Sequence, residues 1–461
     1  MHLKNRIFDE LQPGETACLR RLITSDDLYV FATASGNYNP MHLPGEDGDG
    51  DGVPDEFAPG MFVASLLSAV LGTLLPGPGT LYRSQTLQFH GHARAGDELE
   101  SRLTVLEKHD DGTVTMRTEV TRPADGALIL SGKALVMAPR LRFDRDDIEV
   151  PGLIVQRHRH FEALLERARP LPPMRTAVVA PEDERSLSGA LLAWREGLIT
   201  PTLIGDPALI AAAAGDESLA GIEIIDEPDH LKAAARACAL VHEGRADAVM
   251  KGHLHTDQLL RPMVARQTGL RVGKRRLTHV FVMDVPGMAH PIMVTDAAIN
   301  IAPDLRTKVD IVQNAIDLAI SLGSQQPLVG VLSAVETVNP DIQSSVDAAL
   351  LSKMADRGQI TGGLVEGPLA MDNAVDLTAA RTKGLRCEVA GRANILVVPG
   401  IDAGNMLAKQ LSYISHAESA GLVLGARVPV ILNSRSDSAM SRLASCAVAA
   451  LHHARLSGAK P

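Results

Sequence analysis

Residues 59–75, PGMFVASLLSAVLGTLL, decide how the first part of this chain folds. They are apolar almost all round, and a helix that is hydrophobic on every face must be enclosed by other structure. The segments downstream supply the enclosure. LYRSQTLQFHGHARAGDELESRLTVLEKH (81–109), TVTMRTEVTR (113–122) and ALILSGKALVMA (127–138) are extended and partly alternating, joined by DDG and PADG turns. They read as antiparallel strands.

One long buried helix cradled by a curved antiparallel sheet is the hotdog arrangement, an α+β architecture, assigned here to residues 1–140. PRLRFDRDDIEVPG (139–152) breaks the pattern: it is dense in charge and closes on Val-Pro-Gly, so 141–155 reads as a linker. Over 156–461 the period changes to strand and helix in turn. TAVVAPED, PTLIGD, IEIID, ADAVMKG, LTHVFVMDVP, HPIMVTD, PLVGVLSA, ANILVVPG and VPVILNS are short apolar strands, and KVDIVQNAIDLAISLG places Val309, Val312, Ile316 and Ile320 at helical spacing. Such alternation indicates a mostly parallel α/β sheet covered on both faces, with ligands at the carboxyl ends of strands. Lys251, Asp284, Asp296, Asp402 and the run from Asn433 to Asp437 stand at those ends.

Composition narrows the function. A chain of 461 residues is long for one core. Its 45% hydrophobic and 22% charged residues are those of a soluble globular protein. A formal charge of −10 without a basic stripe, and aromatics at 3%, argue against nucleic acid as a partner. A small-molecule substrate is expected. MHLKNRIFDELQPGE has no apolar core of signal-peptide length and no run approaches a membrane span, so no membrane partner and a cytoplasmic location are expected. Cys18, Cys238, Cys387 and Cys446 are scattered without metal spacing, consistent with a reducing compartment.

VPVILNSRSDSAMSRLASCAVAALHHA runs from a buried strand into the last helix. A strand-to-helix junction aims free backbone N–H groups at whatever sits there, and the helix dipole favours an anion. Arg435 adds a planar fork for phosphate or carboxylate. A plain N-cap by Ser436 or Asp437 is the simpler reading, and the two roles can coexist.

Six ordered blocks extend this. ADAVMKGHLHTDQLLRPMV, LTHVFVMDVPGMAHPIMVTDAAINIAPDLRTKVDIVQNAI, GVLSAVETVNP, VEGPLAMDNAV, PGIDAGNMLAKQL and VILNSRSDSAMSRLAS resemble the phosphate acetyltransferase and phosphate butyryltransferase family, with details leaning to the butyryl branch. The resemblance implies two α/β subdomains of isocitrate/isopropylmalate dehydrogenase-like fold, joined within 290–300 and again near the C-terminus, with the site in the cleft between them. It implies acyl-CoA and phosphate as substrates, acyl phosphate and CoA as products, and no cofactor or metal. Ser434 is then placed near the reacting carbonyl and Arg435 on phosphate, with Asn433, Asn405, Lys409, Lys251 and His253 as further cleft residues. Acetyltransferases of the family carry a carboxylate base shortly after that serine, at a position that falls here on non-acidic residues around Met440 and Ser441. Asp437 is therefore the candidate base, or the partner that holds Arg435.

FATASGNYNPMH, APGMFVASLLSAVLGTLLPGPGTLYRSQTLQF and GDELE resemble the MaoC-like, R-specific enoyl-CoA hydratases. In that family an aspartate and a histidine activate water; the histidine falls on His42, the aspartate on Asn37 and a site-lining helix serine on Ser68. A neutral amide has no basic lone pair, and loss of a general base typically costs about 10²–10⁴-fold. The family's second histidine is replaced by Pro59. Three readings stay open: a weak hydratase using His42 alone, an acyl-CoA-binding module, or a structural remnant. Asp47, Asp49, Asp51, Gly52 and Asp55 match part of a Ca²⁺ loop, but Ala58 stands where a bidentate glutamate belongs, so an acidic surface loop is expected.

The expected whole is a fusion of hotdog and acyltransferase domains, forming a homo-oligomer by analogy with other hotdog proteins. The rivals are an acyl-CoA-binding or regulatory protein with decayed sites, and a dehydrogenase of related fold, which an NAD(P)⁺ reduction assay would detect.

Overall fold

The computed structural model describes residues 2–146, 155, 158–434 and 437–458. The chain divides into two compact units, 1–155 and 156–461. Most of the expected linker, at 147–154, lies outside the described residues.

In the first unit five strands form an antiparallel sheet in the order Thr16–Leu22, Glu98–Lys108, Thr113–Arg122, Ala127–Met137, Leu81–Phe89. Alternation in the long strands puts Leu99, Leu103 and Val105, then Val114, Met116 and Val120, on one face at no more than 1% exposure. The helix Gly60–Thr73 lies on this face and contributes Phe62, Val63, Leu66, Leu67, Val70 and Leu71 to the same core. Each such side chain contributes roughly 1.5–3 kcal/mol on burial. The expected enclosure is incomplete. Met61, Ser65, Ser68 and Gly72, one helical stripe, are exposed, because serine and glycine give that face little apolar area to bury. The strand Leu81–Phe89 is a sheet edge and leaves Leu81 and Phe89 exposed.

The second unit is built on one sheet of 11 strands. Its order is Glu223–Asp226, Ile199–Gly205, Met174–Val179, Ala248–Lys251, Val430–Ile431, Glu418–Leu424, Thr278–Asp284, Ile292–Thr295, Ile395–Val397, Leu328–Leu332, Leu364–Leu369. Pairing is parallel up to Val430–Ile431, antiparallel from there through Ile292–Thr295, and parallel again beyond. Strands such as Ala248–Lys251 and Ile292–Thr295 are buried at every residue, as a sheet covered on both faces requires. Helix Ala439–Leu456 packs on the strand Glu418–Leu424 and on helices Glu184–Arg195 and Arg159–Ala168. Its contact with Glu184–Arg195 depends on Gly189, where a Cβ would stand 2.4 Å from Cδ of Arg442.

All nine apolar segments read from the sequence of this unit contain strands; two of its strands were not foreseen, nor was Thr16–Leu22 in the first unit. Leu364–Leu369 includes Gly367 and Pro368, which interrupt the apolar run by which a strand is read. Glu418–Leu424 is followed closely by Val430–Ile431, and the turn at Gly425, φ +82°, makes them an antiparallel pair. Among the described residues no helix is long and apolar enough to cross a membrane.

Candidate active site

A cavity of about 770 Å³ opens in the second unit, walled by the end of strand Ala248–Lys251, one face of helix Ile401–Tyr413, the start of strand Glu418–Leu424 and the loop into helix Ala439–Leu456. Lys251, Asn405, Lys409, Asn433, Ser434 and Asp437 all line it. Asn405 and Lys409 are one helical turn apart and share a face, and that helix can press against the cavity wall because Gly404, with no Cβ, lies against Ala297. Lys251 is only 4% exposed. The Lys409 ammonium lies 5.8 Å from the Tyr413 ring centre. His253 is not part of this lining; its Nδ1 stands 3.4 Å from a carboxylate oxygen of Asp183, long for a hydrogen bond. Arg435 lies outside the described residues, as does Ser436.

The loop is held by its own polar groups. Asp437 Oδ2 accepts from the Ser434 N–H at 2.7 Å and from Asn433 Nδ2 at 3.2 Å. Asn433, 2% exposed, also donates to Ser445 Oγ at 3.0 Å. The Ser434 carbonyl accepts from Nη2 of Arg442 at 2.9 Å. The helix is capped by Ser438, whose Oγ accepts from Ser441 N at 3.0 Å, so the cap falls one residue beyond the expected Asp437. Asp437 is free of that duty because its oxygen turns back to the Ser434 N–H.

Two further side chains, one lining the cavity and one bonded to the Ser434 carbonyl, were not foreseen. Glu418 lines the cavity, and its Oε2 accepts from Ser438 Oγ and Ser441 Oγ. Arg442 is 2% exposed, with Nε and Nη1 lacking hydrogen-bond partners among the described residues. Burial pulls its pKa below the ordinary arginine value, while Asp437 and Asp183 oppose the shift. The Gly-Ala-Arg break after GLVL could have revealed the strand that carries Glu418.

Asp284 and Asp296, expected among the ligand-facing groups, face inward. Asp284 Oδ2 accepts from Phe161 N at 2.8 Å. Asp296 accepts from the backbone N–H groups of Ala298, Ile299 and Asn300. Burial raises the Asp296 pKa, and these hydrogen bonds offset it only in part.

In the first unit, His42 Nδ1 lies 2.8 Å from the Phe57 carbonyl. A carbonyl can only accept, so the proton is on Nδ1 and the neutral ring keeps a basic lone pair on Nε2. Asn37 Oδ1 accepts from Asn39 N at 3.3 Å. Ser68 lies on the exposed helix stripe. The carboxylates of Asp47, Asp49 and Asp55 come within 4.8 Å of one another, whereas Asp51 bonds Val53 N at 2.8 Å. Hydrogen bonds from Gly52 and Gly50 hold the Asp47 carboxyl below its ordinary pKa.

Comparison with known proteins agrees with this division. Residues 221–450 match the family described as Phosphate acetyl/butaryl transferase, and residues 12–125 match the MaoC like domain. A phosphate acetyltransferase of Rhizobium meliloti is 56% identical over 64% of this chain and 94% of its own length. A phosphate butyryltransferase of Clostridium beijerinckii is 41% identical over 64% of this chain and 99% of its own. These identities do not favour the butyryl branch to which the sequence details lean. The crystal structure of a branched-chain phosphotransacylase from Enterococcus faecalis V583 aligns with 61% of this chain and 99% of its own, at 32% identity and a TM-score of 0.53. The chain thus belongs to the phosphate acetyl/butyryltransferase family, preceded by a MaoC-like domain.

Proposed function

We propose that the second unit transfers an acyl group between CoA and phosphate in the cavity under helix Ala439–Leu456. The observation that carries this is the meeting of Lys251, Asn405, Lys409, Asn433, Ser434 and Asp437 around one space, from segments far apart in sequence. The reaction needs a phosphate neutralised, a thiol deprotonated and a tetrahedral oxyanion stabilised. Lys251 and Lys409, with Arg435 by family resemblance, supply positive charge; Ser434 and Asn433 supply donors near the carbonyl. No cofactor is needed, because the thioester already carries the activation. The apolar wall of Leu254, Phe281, Ala408 and Leu432 suits a short acyl chain. A finer reading treats this unit as two subdomains of isocitrate/isopropylmalate dehydrogenase type joined within 290–300, supported by the antiparallel centre between two parallel wings. The test is release of CoA thiol from acetyl-, propionyl- and butyryl-CoA with phosphate.

For the first unit we propose weak enoyl-CoA hydration, with His42 Nε2 as the base that the Phe57 carbonyl leaves unprotonated. Crotonyl-CoA hydration is the assay, and its absence in both the natural chain and Asn37→Asp would leave acyl-CoA binding or a structural role. The exposed edge strand Leu81–Phe89 supports pairing into a homo-oligomer. Soluble CoA thioesters as substrates fit a cytoplasmic setting.

A further inference from the structure

We infer that Glu418 is the carboxylate that moves the thiol proton in the acyl transfer. This rests on the reaction proposed above and concerns which residue carries its proton.

Three carboxylates line the cavity: Asp402, Glu418 and Asp437. Asp402 is exposed in the first turn of helix Ile401–Tyr413, where a negative charge complements the helix dipole. Asp437 is committed to its own loop, because Oδ2 holds the Ser434 N–H and Asn433 Nδ2. A proton placed on that oxygen would disturb the segment that presents Ser434.

Like Asp437, Glu418 is held through one oxygen, but its donors are two side-chain hydroxyls and neither belongs to the segment that presents Ser434. It is half-buried at the first residue of strand Glu418–Leu424. Its Oε2 is held by two hydroxyls, Ser438 Oγ at 3.2 Å and Ser441 Oγ in a shorter contact. The Ser438 oxygen accepts the Ser441 N–H as the helix cap, so its own hydrogen is available to point at Glu418. Two donors on one oxygen fix the carboxylate plane, and Oε1 accepts no hydrogen bond among the described residues. An oriented carboxylate with a vacant oxygen in the cavity is what a general base requires. Ser441 also stands at the helical position where no acidic residue occurs in this sequence, so the strand brings a carboxylate to the place where the helix lacks one.

The step balances as follows. In the direction of acyl-CoA synthesis, the CoA S–H proton passes to Glu418 Oε1 and the thiolate attacks the carbonyl carbon of the acyl phosphate. The C–S bond forms, the tetrahedral intermediate collapses with cleavage of the C–O bond to phosphate, and the leaving phosphate takes the proton from Glu418. The opposite direction runs the same path backwards.

The experiment compares the full-length natural chain with Glu418→Gln in both directions, from pH 6.5 to 9.5. Glu418→Gln should lower kcat about 10²–10⁴-fold at neutral pH with KM for CoA little changed. In acyl-CoA synthesis the deficit should shrink as pH passes about 8.5, where a free thiol ionises by itself. Glu418→Asp, which keeps the charge on a shorter arm, should show a smaller deficit with the same alkaline recovery, and it serves if Glu418→Gln does not fold. Rates within about threefold of the natural chain, or a deficit equal at all pH values, overturn the assignment. A natural chain that releases no thiol from any of the three acyl-CoAs overturns the acyl transfer itself, and Glu418 falls with it.

Discussion

The two units each present a loop beside a helix, and by the resemblance drawn from the sequence each loop lacks one expected carboxylate. In the first, Asn37 stands in place of an aspartate, and the neighbouring His42 keeps its basic nitrogen through the Phe57 carbonyl. In the second, the helix after Ser434 lacks an acid at Met440 and Ser441, yet Glu418 reaches Ser441 from a strand. A missing residue in a motif therefore has different meanings in the two places. Around Ser441 the gap is filled in space; at Asn37 the amide accepts a hydrogen bond from Asn39 N.

Replacements at these loops test the contrast. After Glu418→Gln, the largest effect is expected at Asp437→Ala, a loss of about 10²-fold in acyl phosphate formation with acyl-CoA affinity nearly retained, because the carboxylate holds the Ser434 N–H. This loss should not recover at alkaline pH, unlike that of Glu418→Gln, and recovery would exchange the roles of the two residues. Next in size is a gain: Asn37→Asp should raise crotonyl-CoA hydration by about 10-fold or more over the natural chain. No hydration by either the natural chain or Asn37→Asp would remove the first unit from hydration chemistry.

Acid should separate the units. Burial lowers the pKa of His279 to about 3 and of His452 to about 4, and both belong to the second unit. With folded values below the unfolded value near 6.5, protonation favours the unfolded chain. The stability conferred by keeping these rings neutral is complete above about pH 6.5 and is lost as pH falls toward 4 and 3, by an amount of order a few kcal/mol. Hydrogen exchange between pH 7 and 4.5 should therefore show the second unit loosening more than the first. Smaller still, Ser438→Ala removes the helix cap and one donor to Glu418, at a cost of about 0.5–2 kcal/mol read as a lower Tm. The smallest effect is Ca²⁺ binding at Asp47, Asp49 and Asp55, where calorimetry should show no saturation below about millimolar because a bidentate glutamate is missing.

Much of the fold was legible because periodicity reports burial. The long strands around Leu103 and Met116 alternate, and the strands of the second unit are continuously apolar. What failed were features decided by neighbours. The open stripe of helix Gly60–Thr73 was hidden because Ser65, Ser68 and Gly72 are small enough to pass for core residues. Of the residues lining the second unit's cavity, Asn433, Ser434, Asp437, Asn405, Lys409 and Lys251 could be singled out because each lies in a segment with a recognisable pattern. His253 lies past the end of strand Ala248–Lys251, where the strand's alternation no longer sets its direction, and its ring lies by Asp183. The strand of Glu418 had a signal in the break after GLVL, but its role and that of Arg442 did not, because only packing brings one to Ser441 and the other to the Ser434 carbonyl.

The most direct test is phosphate-dependent release of CoA thiol by the natural chain from acetyl-, propionyl- and butyryl-CoA. Release from at least one of them, abolished when phosphate is omitted, is the predicted result. Release from none, or release at the same rate without phosphate, would contradict the acyl transfer.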